Sequence, residues 1–251
     1  MKETLGSTPP ARRQWRRTLR RGLFWTTVGL AAAALAYALD QRVLASAIGI
    51  SPIAVGVVLG LVPLPALGVG LRALARALRL RGASELAATV AAHLAERLPG
   101  DYVVLSHYAP RDDAAAEVAV VVVGPPGVIV VEPRGESGEV ICYQDHWYRK
   151  TSQTRSRALY DSPSNRARWN ATRVRSDIAT GGFLNTRIEG VVVFTRAKIG
   201  DVSSSSVPVL AGMDAALSYL TRSDPRVETS PERTRALADA LVGPIRLAVA
   251  S

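Results

Sequence analysis

Residues 117–134 read Glu-Val-Ala-Val-Val-Val-Val-Gly-Pro-Pro-Gly-Val-Ile-Val-Val-Glu-Pro-Arg. Two β-branched runs separated by a Gly-Pro-Pro-Gly turn predict two consecutive buried strands. Side chains alternate along a strand, so Glu117, Ala119, Val121 and Val123 are expected on one face of the first. Val128, Val130, Glu132 and Arg134 are expected to share a face of the second. A carboxylate closing an apolar strand, followed two residues later by a cation, is costly to bury unless the pair has a use. Any fold for this chain has to be built around that pair of strands.

The elements around it predict an α/β domain with a mixed sheet of about five or six strands and covering helices. Ser84–Leu98 carries Leu86, Val90 and Leu94 at helical spacing, with Ser84 as a plausible N-cap and Glu85 in the first turn. Asp101–Tyr108 is the first strand. After Arg134, Gly135–Gly138 is expected to turn the chain into Glu139–Tyr143 and then Trp147–Lys150. Ser162 and Pro163 start a helix that Gly181-Gly182 ends. Ile188–Phe194 and Val207–Leu210 are strands, and helices follow near Met213–Thr221 and Pro231–Leu241. Cys142, Asp145 and His146 straddle a hairpin with no second ligand pair elsewhere, which argues against a zinc site. A lone cysteine excludes an intrachain disulfide framework and suits a reducing compartment.

Ahead of this domain the chain is apolar. Gly22–Leu39 carries no charge and is about 27 Å long as a helix; Ile50–Leu71 reaches about 33 Å. Residues 1–21 hold Lys2, Arg12, Arg13, Arg16, Arg17, Arg20 and Arg21 against Glu3, and Arg72, Arg76, Arg79 and Arg81 follow the second segment. Arginine outside both segments, with only Asp40-Gln41-Arg42 at the break, predicts a two-helix transmembrane hairpin whose ends lie on the cytoplasmic side. The expected division is a basic tail (1–21), a hairpin (22–71), a basic juxtamembrane linker (72–83), the globular domain (84–245) and a short tail (246–251). This places the chain in the inner (plasma) membrane as a multi-pass protein with lipid as a partner. The alternative is a cleaved export signal over residues 12–38, which leaves the domain inside as well. Gly56 and Gly60 form a GxxxG pair, suited either to oligomerisation or to packing within the hairpin. Neither apolar span contains an ionisable residue, so a transport role has no support.

The strand, the Gly-Pro-x-Gly turn and the Val-Ile-Val-Val-Glu-x-basic ending resemble the nuclease-related domain (NERD) family, a relative of the PD-(D/E)xK nucleases. The resemblance runs from Ser84 to about Gly243. It implies two carboxylates holding Mg²⁺ and a lysine that orients the attacking water. Glu132 stands at the second carboxylate, but Ala119 takes the place of the Asp and Arg134 that of the Lys. Glu117, two residues before Ala119 and about 6.6 Å along the strand, could replace the Asp only if the strand shifted or a water bridged the gap. This gives Glu132, Arg134 and Glu117 as the site and Glu132 with Glu117 as metal ligands if the site is active. The simpler expectation is a degenerate site in which Glu132 pairs with Arg134 or another cation; a rebuilt Mg²⁺-dependent site is the rival. The family's Pro-x-x-Gln helix carries Arg166 at the Gln position.

Of the 31 basic residues 28 are Arg, which fits a GC-rich bacterial coding sequence. Arg155, Arg157, Arg166, Arg168 and Arg173, with Trp169 and Tyr160 interleaved, make either a DNA- or RNA-binding face or a solvated one. A protein partner at the membrane is the remaining class of function.

Overall fold

In the computed structural model, residues 10–39, 46, 49, 51–112, 116–152, 154–222 and 229–249 are described. Lys2, Glu3 and the Asp40-Gln41-Arg42 break lie outside them. The chain divides into two compact units, Ala11–Gly82 and the part that begins at Ala83.

The first unit is helical: α1 (Pro10–Ala38), α2 (Pro52–Leu61) and the opening of α3 (Pro63–Arg97). Ser51 caps α2 by accepting from the Ala54 amide at 3.3 Å. The helix ends at Val62, because Pro63 has no amide to continue it. Glycines let α1 and α3 approach closely. A Cβ on Gly22 would meet Leu74 Cγ at 2.9 Å, and one on Gly29 would meet Leu67 Cγ at 2.7 Å. Gly70 abuts Thr26 in the same seam, and these pairings run in opposite chain directions. The close packing therefore falls on Gly22, Gly29 and Gly70, whereas nothing lies within 4 Å of a Cβ on Gly60. Among the described residues one helical stretch, Ile53–Arg97, is long and apolar enough to cross a membrane, with mean hydropathy 2.2 in its most apolar window. The helix α1, with Arg16, Arg17, Arg20 and Arg21 in its first half, does not meet that measure, so the expected pair of spanning helices is seen as one.

No break separates a linker helix from a domain helix. Ser84 and Glu85 lie inside α3 rather than at an N-terminus, and Gly82 interrupts nothing. One glycine among alanines and leucines costs a helix about 1 kcal/mol, too little to end it.

The second unit holds a seven-stranded mixed sheet. Its strands are β1 (Val103–Tyr108), β2 (Val118–Gly124), β3 (Gly127–Tyr143), β4 (His146–Lys150), β5 (Ser156–Ala158), β6 (Ile188–Ile199) and β7 (Val209–Ala211). Between β5 and β6 runs α4 (Pro163–Thr180); α5 (Gly212–Leu220) and α6 (Pro231–Val249) complete the chain. The last helix passes the expected boundary at residue 245.

The apolar hairpin is the centre of the sheet. Gly124 pairs with Gly127 across Pro125-Pro126, and Val120–Val123 face Val128–Val131 antiparallel. Gly127 takes φ +104° at this turn, and a Cβ there would run into the Arg187 carbonyl at 2.6 Å. Both faces are covered. Val120, Val122, Ile129 and Val131 pack with Val90 and Leu94 of α3 and Leu220 of α5. Val121, Val123, Val128 and Val130 pack with Val174 and Ile178 of α4 and Leu237 and Leu241 of α6. Two covered faces are why these strands read as continuous apolar runs.

The expected alternation fails at the start of β2. Val118 packs in the cluster of Val121, whereas Ala119 packs against the cluster of Val120. His107, on the paired strand, has φ 56°, and the ladder passes from Ser106↔Val120 to Tyr108↔Val118 around it. A left-handed residue breaks the pleat, so Ala119 does not share the face of Val121.

The expected turn at 135–138 is also absent. Instead β3 runs on for 17 residues, parallel to β6, with a register shift between Arg134 and Ser137 and Gly138 at φ +87°. That irregularity lies beside the charged residues at the end of the apolar run.

Candidate functional site

The carboxylate of Glu132 lies where β3 passes beneath the first turns of α4. Local chemistry fixes that helix start. Ser162 has extended backbone and accepts from the Asn165 amide at 3.3 Å, and Pro163 occupies the first turn. The neighbouring Ser164 accepts from Trp147 Nε1 at 2.9 Å, and Ser162 donates to the Asp145 carbonyl at 3.1 Å, tying the β3–β4 hairpin to the same point. Gly190 on β6 lets the helix backbone come close: a Cβ there would sit 2.5 Å from the Ala167 carbonyl oxygen.

Glu132 is 2% exposed. Its Oε1 is 3.2 Å from Arg166 Nε and 3.9 Å from Arg134 Nη1, and Asn170 Nδ2 donates to Oε2 at 3.4 Å. Arg134 is committed elsewhere: both its terminal nitrogens donate to Asp161, at 3.0 and 2.7 Å, and Nε donates to Glu136 at 3.1 Å. Arg166 Nη1 also donates to Asp161 at 3.1 Å. Two guanidinium groups and three carboxylates thus form one lattice, with Glu132 at its buried end. Burial pushes the Glu132 carboxyl above its ordinary range, against the pull of Arg166 and Arg134. For Asp161 burial also works upward, but Arg134 and Arg166 outweigh it and hold that carboxyl low. Arg134 keeps its charge: its bonds to Asp161 and Glu136 exceed the cost of burial.

Glu117 precedes β2 and binds the Nδ1 of His107, which is itself buried. A cleft of ≈ 570 Å³ opens beside these groups, lined by Glu117, Ser162, Asn165, Arg166, Trp169, Asn170 and Arg173.

The residues present do not fit Mg²⁺. That ion needs near-octahedral oxygen ligation, normally from one or two carboxylates with waters and substrate phosphates. Here Glu132 has guanidinium groups on one oxygen and an amide on the other, and Glu117 is held by an imidazole. Among the described residues no group of three or more His, Cys, Asp and Glu side chains is placed to hold a metal ion.

Of the arginines singled out in the sequence, Arg166 and Arg173 reach the cleft. Arg168 bonds Asn165 Oδ1 at 2.7 Å, whereas Arg155 and Arg157 are exposed at the sheet edge, away from the cleft lining. Sequence reasoning missed Asp161, Glu136 and Asn170. Asn170 carried a signal, lying one helical turn after Arg166 on the same face, and so did Glu136, two residues after Arg134 on one strand. Asp161 meets Arg134 through folding that no spacing announces.

The fold and the site together define a mixed α/β domain whose buried strand-end carboxylate, Glu132, is taken up by arginine. Residues 83–195 match the family model for NERD, the nuclease-related domain. The match covers the end of α3, β1 to β5, α4 and β6 as far as Thr195, and so includes every residue of the charged lattice, but it stops short of β7, α5 and α6. No curated protein and no solved structure matches the chain.

Proposed function

We propose that this chain is a membrane-anchored protein whose nuclease-related domain faces the cytoplasm and binds nucleic acid without cutting it. One observation carries the reading: Glu132, the carboxylate that would hold a metal in an active relative, is engaged by Arg166 and Arg134. Neither arginine can act as a base, because a guanidinium stays protonated. Arg166, which lines the cleft with about half its side chain exposed, can stabilise a phosphate.

Anchoring rests on the helices of the first unit. Ile53, Val57, Val58, Leu61 and Leu71 are exposed along α2 and α3, and Phe24, Leu30 and Leu35 along α1. Apolar surface on that scale is stable in lipid and a liability in water. We read α1 with α2 and α3 as a two-pass anchor, its arginines on the cytoplasmic side.

The test is binding of the full chain, in detergent micelles, to labelled DNA and RNA across a salt series. Replacing Arg166, Arg168 and Arg173 together by Ala should weaken binding equally for all sequences. It should also flatten the slope of log affinity against log salt by about one unit for each phosphate no longer neutralised. An unchanged slope, or no binding by the parent at low salt, overturns the reading.

A further inference from the structure

The cleft has a chemistry that phosphate binding alone does not explain. Ser162, Asn165, Arg166, Trp169, Asn170 and Arg173 recur at i, i+3, i+4, i+7, i+8 and i+11, a single face along three turns of α4. Trp169 is at the centre of that face and is 64% exposed, unlike Trp147, which is buried against Phe194 and bonded to Ser164. A large indole left exposed inside a cleft, with guanidinium groups one turn to either side and small polar groups at the helix start, offers a stacking surface beside phosphate donors. Its ≈ 570 Å³ is within the range of single-ligand sites.

We propose that this cleft takes one unpaired nucleotide, its base stacked on Trp169 and its phosphate held by Arg166 and Arg173. The inference rests on the nucleic-acid-binding reading above and sharpens it to single-stranded substrate. In a duplex the base faces are already stacked on their neighbours, whereas a single strand presents them to an aromatic side chain. The carboxylates at the cleft floor do not forbid this. Glu132 is paired with Arg166, held by Asn170 and near the charge of Arg134 at 3.9 Å, and Glu117 is bound to His107. Arg166 keeps about half its side chain exposed while making those bonds, so a phosphate can reach its outer edge.

The experiment measures binding of the full chain in detergent micelles, with chelator present, to a single strand, to the matching duplex, and to the single strand in competition with a free mononucleotide. The single strand should bind at least tenfold more tightly than the duplex. Trp169→Ala should cost it about tenfold or more, Trp169→Phe should retain most of the affinity, and duplex binding should be unmoved by either change. Displacement by millimolar mononucleotide supports the site with a free nucleotide as its ligand; no displacement supports it with the strand as ligand. Equal or tighter duplex binding, or a Trp169→Ala variant that binds the single strand like the parent, overturns the inference while leaving nucleic-acid binding intact. No binding to any nucleic acid overturns both.

Discussion

Glu132 is the residue at the centre of the site, and its protonation has a consequence for stability. Its carboxyl titrates higher in the folded chain than in the unfolded one, so the fold holds the protonated form more tightly. That contribution is fully present below the unfolded carboxylate range, near about 4.3. It is lost as pH rises through the folded value. As pH rises and Glu132 ionises it weighs against the fold, so Glu132→Gln should gain in melting temperature on the parent with rising pH, the two drawing together at low pH. A variant that instead loses ground to the parent as pH rises would mean that attraction to Arg166 and Arg134 exceeds the cost of burial. Asp161 has the opposite sign. Its lowered carboxyl stabilises the fold above the unfolded value and ceases to do so as pH falls through the folded one. Glu132 was legible from its place at the end of an apolar strand. A cation beside it was legible too, since Arg134 and Glu132 share a face as alternation requires; that Arg166 from another element approaches Oε1 more closely was not.

At the level of elements, what the sequence made legible was what depends on neighbouring residues. The Val-rich hairpin and the Ser162-Pro163 helix start follow from local patterns, and both are observed. The failures share a cause in partners distant along the chain. Gly135–Gly138 reads as a turn, but β6 supplies a parallel neighbour that keeps β3 extended through it. Ala119 leaves the face of Val121 because His107, on another strand, takes a left-handed backbone. The contact of α4 with β6 also depends on a distant glycine. Gly190→Ala should force the Ala167 backbone away and cost about 1–3 kcal/mol, the usual range for overpacking. A denaturant melt checks this, and an unchanged midpoint would show that the helix is free to shift. Because α4 carries Arg166, Asn170 and Trp169, the same change should weaken nucleic-acid binding.

For the whole molecule, a basic, arginine-flanked apolar unit precedes a domain in which arginine also takes up the buried carboxylate. The proposed topology puts a reporter fused after Ser251 in the cytoplasm, active only as a cytoplasmic marker; activity outside the membrane would refute it. The arrangement also explains why restoring the family's residues is a demanding change. Ala119→Asp with Arg134→Lys returns two groups, but Arg166 still occupies Oε1 of Glu132 and Ala119 lies among apolar neighbours. Cleavage should then require Arg166→Gln as well. The most direct measurement is phosphodiester cleavage by the full chain with Mg²⁺ and Mn²⁺, parent beside Glu132→Ala. No cleavage by either protein is expected; cleavage by the parent that Glu132→Ala abolishes would contradict a binding domain that has lost its chemistry.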